Sequence, residues 1–335
     1  MIKNYLDNNY EMKNYVWFLR QAGRYLPEYK LIRKTEENFL SLCNNINKAT
    51  DISLQPVQRF NLDSAIVFSD ILVIPKLLGQ DVSFTEKQGP VLEHLDYNLI
   101  NRMREKSINL SSEINTYEVI KKIRASLSKK KGLIGFCGSP WTVACYMIDG
   151  SSKSNFTRSK SWIKTNKTIL LDLLDIITDI STDHLLRQGE SGCDTLMIFD
   201  SWASLVPEDS FDDIIITPTK NIMKKIRRKF TTITYPKGIG EKIISFHREI
   251  NSDVLGVDHT IDLNWLLKNI SSNVVLQGNL SPQTLLKGGE ELVVETRKIL
   301  ELTKGRKHIF NVGHGIIKDT PVENVNKVLS IIRRF

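Results

Sequence analysis

The sequence has 335 residues, of which 41% are hydrophobic and 25% charged, a composition typical of a globular protein with a sizeable core. The net charge is +8, yet the basic residues are scattered and their densest clusters lie on segments with helical character, which argues against nucleic acid as a partner. No apolar run approaches the roughly 18 residues of a membrane-spanning helix. The polar, Asn-rich N-terminus has no apolar signal segment, so we expect a cytoplasmic protein without membrane contact.

The four cysteines form no C-x-x-C pair, so neither a zinc knuckle nor a thioredoxin-like redox motif is indicated. Cys137 and Cys193 lie in or beside apolar runs, which favours buried, reduced thiols. We therefore expect no metal site built on cysteine.

Short apolar runs rich in β-branched or aromatic residues recur along the chain, each followed by a stretch with helical character. Seven of them are clear, at residues 64–68, 133–137, 195–199, 231–235, 254–257, 274–276 and 308–312. Their lack of polar alternation predicts strands that are buried on both faces, as in a parallel sheet. Residues 15–20 (YVWFLR) are a candidate eighth strand.

The stretches between the runs carry helix-start motifs. Ser139-Pro140 opens one helix, and Thr320-Pro321-Val322-Glu323 has the pattern of a capping box at the start of the last one. Strands that alternate with helices predict a parallel sheet, and eight of them predict a single (β/α)8 TIM-type barrel domain over residues 1–335. A doubly wound open sheet is the alternative, but no strand is followed by the G-x-G-x-x-G turn that usually accompanies it.

Polar residues follow nearly every predicted strand, at the strand end where parallel barrels carry their active sites. In chain order they are Asp70, Tyr146, Asp200-Ser201, Lys237, Asp258-His259, Gln277 with Asn279, and His314. Each alone has an ordinary structural explanation, since an aspartate there is commonly a helix N-cap and a glycine-flanked histidine is as often a turn residue. Their repetition at one end of the sheet predicts a common polar pocket.

The segment of residues 16–29 places Arg20 and Arg24 among apolar and aromatic residues. A guanidinium group in apolar and aromatic surroundings needs an anionic partner. Two explanations fit equally well, namely ion pairs with protein carboxylates, or a clamp for the carboxylates of a ligand.

Seven short motifs follow one another in order along the chain. They are R-Q-A-G-R-Y-L-P-E-Y at residues 20–29, F-S-D-I-L at 68–72, G-S-P-W-T at 138–142, F-D-S-W-A at 199–203, Y-P-K-G at 235–238, L-Q-G-N-L at 276–280 and G-H-G-I at 313–316. Together they resemble the uroporphyrinogen decarboxylase family, and the first string is highly specific. The resemblance extends from about residue 15 to residue 328.

The resemblance implies a distorted (β/α)8 barrel, usually a homodimer with facing clefts, that uses neither a metal nor an organic cofactor. The implied reaction removes the carboxyl groups from the four acetate side chains of uroporphyrinogen III, giving coproporphyrinogen III in haem biosynthesis. By matching positions, the resemblance makes Asp70 the catalytic residue and also a substrate-binding one. The other implied substrate-binding residues are Arg20, Arg24, Tyr146, Ser201 and His314, with Arg33 as a further candidate.

Three positions depart from the family pattern without removing an implied site residue. His259 stands where tryptophan is usual, Ser281 where aspartate is usual and Ser204 where glycine is usual. These departures concern loop geometry and leave the implied reaction unchanged.

The main alternative is a methyltransferase of the same superfamily, which moves methyl groups between a corrinoid and a thiol. The resemblance implies that such an enzyme would hold zinc with a His-x-Cys pair and a distant cysteine. Here the comparable stretch is His259-Thr260-Ile261, with isoleucine in place of cysteine, and no cysteine occurs after Cys193. The zinc site of those enzymes cannot be built from this sequence.

Overall fold

The computed structural model describes residues 1–7, 14–36, 38–85, 89–105, 110 and 114–335. Its strands are β1 (Tyr15–Val16), β2 (Ser64–Ile66), β3 (Val82–Thr85), β4 (Gly89–Leu92), β5 (Gly132–Gly138), β6 (Thr195–Asp200), β7 (Thr231–Pro236), β8 (Val254–Gly256), β9 (Val275–Leu280) and β10 (His308–Val312). Its α-helices are α1 (Ile2–Leu6), α2 (Pro27–Arg33), α3 (Phe39–Asn44), α4 (Ile46–Phe60), α5 (Val73–Leu78), α6 (Tyr97–Glu105), α7 (Thr116–Ser126), α8 (Pro140–Asp149), α9 (Thr157–Thr165), α10 (Lys167–Glu190), α11 (Thr217–Ile226), α12 (Ile243–Ile250), α13 (Leu263–Asn269), α14 (Pro282–Lys287), α15 (Gly289–Leu302) and α16 (Val322–Arg334).

Eight of these strands form one parallel sheet in the order β1-β10-β9-β8-β7-β6-β5-β2. The two ends of this order meet, because the backbone N–H of Asp63, directly before β2, donates to Val16 O of β1 at 3.0 Å. The sheet is therefore closed into a barrel with helices between its strands, which confirms the predicted (β/α)8 fold. The remaining strands, β3 and β4, form a separate antiparallel pair.

A partly buried ion pair fixes the seam between β1 and β2. Arg333 of α16 donates to both carboxylate oxygens of Asp63 at 3.0 Å, and Val16 N donates to Asp63 Oδ2 at 2.8 Å. The hydroxyls of Tyr15 and Ser64 lie 2.7 Å apart across the same seam. The last helix thus holds the first two barrel strands together.

The strand ends differ most from the predicted ones at β1 and β9. β1 contains only Tyr15–Val16, because beyond it the chain bonds to buried side chains, as where Leu19 N donates to Asn311 Oδ1 at 2.8 Å. β9 continues to Leu280, past the predicted end at residue 276.

Both predicted helices are present, but only one of the two predicted side-chain caps is confirmed and the other is wrong. Ser139 Oγ accepts a hydrogen bond from Thr142 N at 3.0 Å and caps α8. In contrast, α16 has Pro321 as its N-cap and no side-chain cap bond, and the Thr320 hydroxyl is buried without a hydrogen-bond partner in the described part of the chain. Cys137 and Cys193 are buried and free, as predicted. No helix within the described ranges is long and apolar enough to cross a membrane.

Candidate active site

Arg20 stands on a firmly held turn after β1. Its backbone φ is 57°, in the left-handed region. On one side Leu19 N donates to Asn311 Oδ1 of β10 at 2.8 Å, and on the other Gln21 Nε2 donates to Ser64 O of β2 at 3.0 Å. Because Asn311 and Gln21 are both fully buried, the barrel itself determines where Arg20 projects.

The loop after β10 leaves room for the Arg20 side chain. A Cβ atom added at Gly315 would lie 2.2 Å from Arg20 Cδ and 2.6 Å from Arg20 Cγ. Next to it, Ile316 N donates to Leu19 O at 3.0 Å. The R-Q-A-G-R segment and the G-H-G-I loop are therefore packed directly against each other.

Arg24 and Arg33 add positive charge along α2. Arg24 is exposed just before the helix, and Arg33, in its last turn, donates to Glu36 O at 2.7 Å. Tyr25 and Tyr29 are buried, whereas Arg20 and Arg24 are exposed, so the aromatic residues of this segment face the core and the two arginines do not. Neither Arg20 nor Arg24 forms an ion pair with a carboxylate of the residues described. This arrangement favours a ligand carboxylate as their partner over a structural ion pair.

Asp70 follows β2 in a turn and is half-buried. Its Oδ1 accepts a hydrogen bond from Leu72 N at 2.8 Å. Burial raises the pKa of the Asp70 carboxyl, and the Leu72 N–H and the nearby charge of Arg20 offset only part of that rise. Oδ2 accepts no hydrogen bond from the residues described, so it is open to a donor on a ligand.

Tyr146 lies on α8 and its ring packs edge-on against Phe156, with the centroids 5.5 Å apart. Burial raises the pKa of the Tyr146 hydroxyl. The charge of Asp70 raises this pKa further and that of Arg20 lowers it, so the three groups lie within electrostatic range of one another.

A buried carboxyl at the end of β6 sets the position of Ser201 and Trp202. Asp200 Oδ1 accepts a hydrogen bond from Thr142 Oγ1 at 2.9 Å, and Thr142 Oγ1 in turn accepts one from Trp202 N at 3.3 Å. Burial raises the pKa of Asp200 to about 6 in spite of these hydrogen bonds. Ser201 is half-buried, and its hydroxyl bonds to no residue in the described ranges. Sequence reasoning missed this supporting role of Asp200, although the F-D-S-W-A motif places it directly before Ser201.

His314 follows β10 in a loop that also contacts the end of β8. There, His259 N and Nδ1 lie 3.3 and 3.2 Å from Gly313 O. Burial lowers the pKa of His314 to about 3, and the neighbouring charges of Lys237, Arg20 and His259 add to the shift. His314 is therefore a neutral imidazole at pH 7, suited to hydrogen bonding.

The structure thus gathers most of the predicted residues around one end of the barrel. The positive charge of Arg20 acts to lower the pKa values of Asp70, Tyr146 and His314. Arg24 and Arg33 lie further out, where their positive charges oppose the rise that burial causes in the pKa of the Tyr29 hydroxyl. Within the described ranges, no group of three or more histidine, cysteine, aspartate or glutamate side chains is placed to hold a metal ion.

Comparison with known sequences gives a consistent result. The family model described as "Uroporphyrinogen decarboxylase (URO-D)" matches residues 9–335. A uroporphyrinogen decarboxylase of Rickettsia conorii is 43% identical over 323 residues, which cover 96% of this chain and 93% of the relative. The corresponding protein of Rickettsia canadensis is 43% identical over 328 residues, which cover 96% of this chain and 95% of the relative.

Solved structures match the fold at lower sequence identity. A methyltransferase from Methanosarcina mazei has a TM-score of 0.77 at 20% identity, covering 100% of this chain and 97% of that one. A B12-independent methionine synthase from Shewanella sp. W3-18-1 has a TM-score of 0.55 at 12% identity, covering 88% and 87%. These likenesses concern the fold alone, whereas the family model and the relatives at 43% identity extend over nearly the whole sequence. This chain therefore belongs to the uroporphyrinogen decarboxylase family and is a carboxy-lyase.

Proposed function

We propose that this enzyme converts uroporphyrinogen III into coproporphyrinogen III by removing the carboxyl groups of the four acetate side chains, without a metal or organic cofactor. The observation that carries the proposal is the combination of exposed arginines and a half-buried carboxyl in one pocket. Arg20 lies close enough to Asp70 to offset part of the rise that burial causes in the pKa of the carboxyl, yet no ion pair joins the two. The pocket offers cations to substrate carboxylates and one anion to a developing cation.

The substrate carries eight carboxylates around a flexible macrocycle, with pyrrole N–H groups at its centre. Arg20 and Arg24, with Arg33 as a further candidate, supply cations for the rim, in bidentate geometry where the approach allows. Asp70 accepts hydrogen bonds from the pyrrole N–H groups, since one carboxylate has room for several donors. The remaining groups hydrogen-bond to substrate carboxylates, namely Tyr146, Ser201 and His314.

Decarboxylation begins with protonation of the pyrrole carbon adjacent to the one that bears the acetate side chain, which makes that ring cationic. The bond to the carboxylate then breaks, CO2 leaves, and the electron pair of that bond moves into the cationic ring. A second proton converts the remaining CH2 group to methyl, and the proton first added to the ring carbon leaves, which restores the neutral pyrrole with a net uptake of one proton for each CO2 released. In the proposed substrate complex, the carboxylate of Asp70 lies beside this ring. It stabilises the cationic ring more than the neutral ground state.

Two kinds of side chain in the pocket are poor proton donors at neutral pH. Arginine has a pKa of about 12.5 or higher. The pKa of His314, lowered to about 3, leaves almost no imidazolium at pH 7. Tyr146, a bound water molecule and Asp70 itself are the groups left for this role.

Resemblance to the family also supports a single-domain chain that forms a cytoplasmic homodimer with facing clefts. Analytical ultracentrifugation of the purified chain tests the dimer, which should sediment as one species of twice the chain mass. A monomer at micromolar concentration would contradict this part of the proposal.

Incubation of the purified chain with uroporphyrinogen III under anaerobic conditions tests the reaction. We expect four molecules of CO2 per substrate and coproporphyrinogen III as the final product, at a rate unchanged by dialysis against a strong chelator. A preparation that releases no CO2, or whose activity collapses on dialysis and returns with zinc, contradicts the proposal. Methyl transfer from a methylcorrinoid to a thiol would support the alternative activity.

A further inference from the structure

Lys237 stands on the side of the barrel mouth opposite Arg20. Arg20 follows β1 and Lys237 follows β7, and these strands are separated by β10, β9 and β8 in one direction and by β2, β5 and β6 in the other. The three arginines of the candidate site belong to the segment after β1, namely Arg20, Arg24 and Arg33. A ligand with carboxylates around its whole rim needs a cation on the β7 side as well.

The backbone at Lys237 is held from several sides. Lys237 N donates to Asp200 O at 2.9 Å, and Gly238 N donates to Oδ2 of the fully buried Asp258 at 2.8 Å. Gly238 has a φ of 74°, which glycine adopts without strain, and a Cβ atom there would lie 3.1 Å from Ser204 Cβ. The Lys237 side chain therefore projects from a fixed base, as a preorganised binding residue should.

The Lys237 ammonium group reaches the pocket but has no protein carboxylate as partner. Its Nζ lies 5.8 Å from the centre of the Trp202 ring, next to Ser201. Its charge contributes to the low pKa of His314. The side chain is half-buried, and it takes part in no ion pair with the residues described.

Lys242 shows what a structural lysine of the same loop looks like. It forms an ion pair with Glu208 and lies 5.0 Å from the centre of the Phe211 ring. Both lysines thus pack on an aromatic ring, but only Lys237 keeps its charge free of a carboxylate. The two lysines are both half-buried, and they differ in whether a protein carboxylate pairs with the ammonium group.

We propose that Lys237 is a further substrate-binding residue, whose ammonium group pairs with a carboxylate side chain of the porphyrinogen on the β7 side of the mouth. The ammonium group of Lys237 lies over the Trp202 ring, and its N–H groups donate to no carboxylate of the residues described, so they can pair with a ligand carboxylate. Arg20 and Arg24 bind carboxylates on the β1 side, so the macrocycle is bound at two opposite sides of its rim. The inference rests on the proposed function and extends it by one residue.

Lys237→Met tests this assignment, because it removes the charge and keeps an unbranched side chain of similar size. We expect KM for uroporphyrinogen III to rise about tenfold with kcat within about twofold, as for one lost charge-assisted hydrogen bond. The salt dependence of kcat/KM should become weaker, since one attractive charge is gone. Lys237→Arg keeps the charge and should restore most of the affinity.

Lys242→Met is the matched control, because it removes a cation from the same loop and should leave KM and its salt dependence unchanged. Melting temperatures of all three variants should stay within a few degrees of the wild type. An unchanged KM in Lys237→Met, or an equal rise in both methionine variants, overturns the proposal. If the wild type releases no CO2, the decarboxylase function fails instead, and fluorescence titration with the octacarboxylate uroporphyrin still tests Lys237 through the affinities of wild type and Lys237→Met.

Discussion

Asp70 has one carboxylate oxygen bonded to Leu72 N and a second oxygen that bonds to no described residue. Asp70→Asn preserves the size of the side chain and the acceptor for Leu72 N but removes the negative charge. We expect kcat to fall by about a hundredfold or more, or roughly 3 kcal/mol of barrier, because the cationic intermediate loses its fixed counter-charge. Circular dichroism should show an intact fold. Near-normal CO2 release by the folded variant would refute the role.

Arg24 is exposed and has no described carboxylate as partner, so its replacement should affect the ligand more than the fold. For Arg24→Lys we expect kcat/KM to fall by about tenfold or more, because lysine cannot bind a carboxylate in bidentate geometry. The melting temperature should change by about a degree or two at most.

Arg59 is the matched structural arginine, since it pairs with Glu28 in bidentate geometry at 2.6 and 2.9 Å. Arg59→Lys should lower the melting temperature slightly and leave kcat/KM unchanged, because an exposed pair of this kind contributes about 1 kcal/mol or less. Loss of stability in Arg24→Lys with kcat/KM preserved would support a structural ion pair and contradict our assignment.

Sequence reasoning proposed individual site residues more readily than it distinguished between similar ones. Arg20 and Asp70 could be singled out because their motifs and strand ends are visible in the chain. Lys237 and Lys242 lie in one loop, and only tertiary contacts with Trp202 and Glu208 tell them apart. Such contacts join residues that are distant in sequence, so no local pattern encodes them.

At the scale of elements, hydropathy located the strands but not all of their ends. β9 runs through Gln277 and Asn279, two polar residues that ended the apolar run used for the prediction. Both side chains are buried with partners, since Gln277 Oε1 accepts from Trp17 Nε1 at 2.9 Å and Asn279 Nδ2 donates to Asp258 O at 3.1 Å. A polar residue satisfied inside the barrel cannot be distinguished from a loop residue by hydropathy alone.

The contact between the loops after β1 and β10 predicts that substitutions at Gly315 and Arg20 affect substrate binding through the same interaction. A methyl group at Gly315 would collide with Arg20 Cδ at 2.2 Å, so in Gly315→Ala the flexible arginine must swing away. We expect KM to rise about as much as in Arg20→Ala, with little loss of stability. The double variant should be no worse than either single one, because both remove the same interaction.

Gly23 provides the control for Gly315, since a Cβ atom there would lie 3.4 Å from Arg20 O, an ordinary contact. Gly23→Ala should therefore change KM much less than Gly315→Ala. Additive effects of Gly315→Ala and Arg20→Ala would contradict the proposed interlock of the two loops.

At the scale of the whole molecule, stability should depend on pH through Asp200. Its folded pKa of about 6 exceeds the value of about 3.9 in an unfolded chain. The stabilisation is therefore complete below about pH 4 and is lost as the pH rises through 6, because the ionised carboxyl favours the unfolded chain.

The difference of about two pKa values corresponds to about 3 kcal/mol of unfolding free energy. Asp200→Asn cannot ionise, so denaturant titrations should show that it gains stability relative to the wild type between pH 4 and 7. The wild type and the variant changing in parallel over that range would exclude Asp200 as the source.

The barrel was predictable from the alternation of strands and helices, but its seam was not, since Arg333 bonds to Asp63 across 270 positions of sequence. That separation has a consequence for synthesis on the ribosome. The residues of β1 and β2 are translated well before the arginine that joins them, which lies 270 positions after Asp63. Until β10 and α16 have left the exit tunnel, β1 lacks its β10 neighbour and the seam lacks Arg333, and an open strand edge in a nascent chain invites pairing with neighbouring chains. Barrel closure therefore comes long after β1 and β2 have been translated, and chaperones would act on the chain before it.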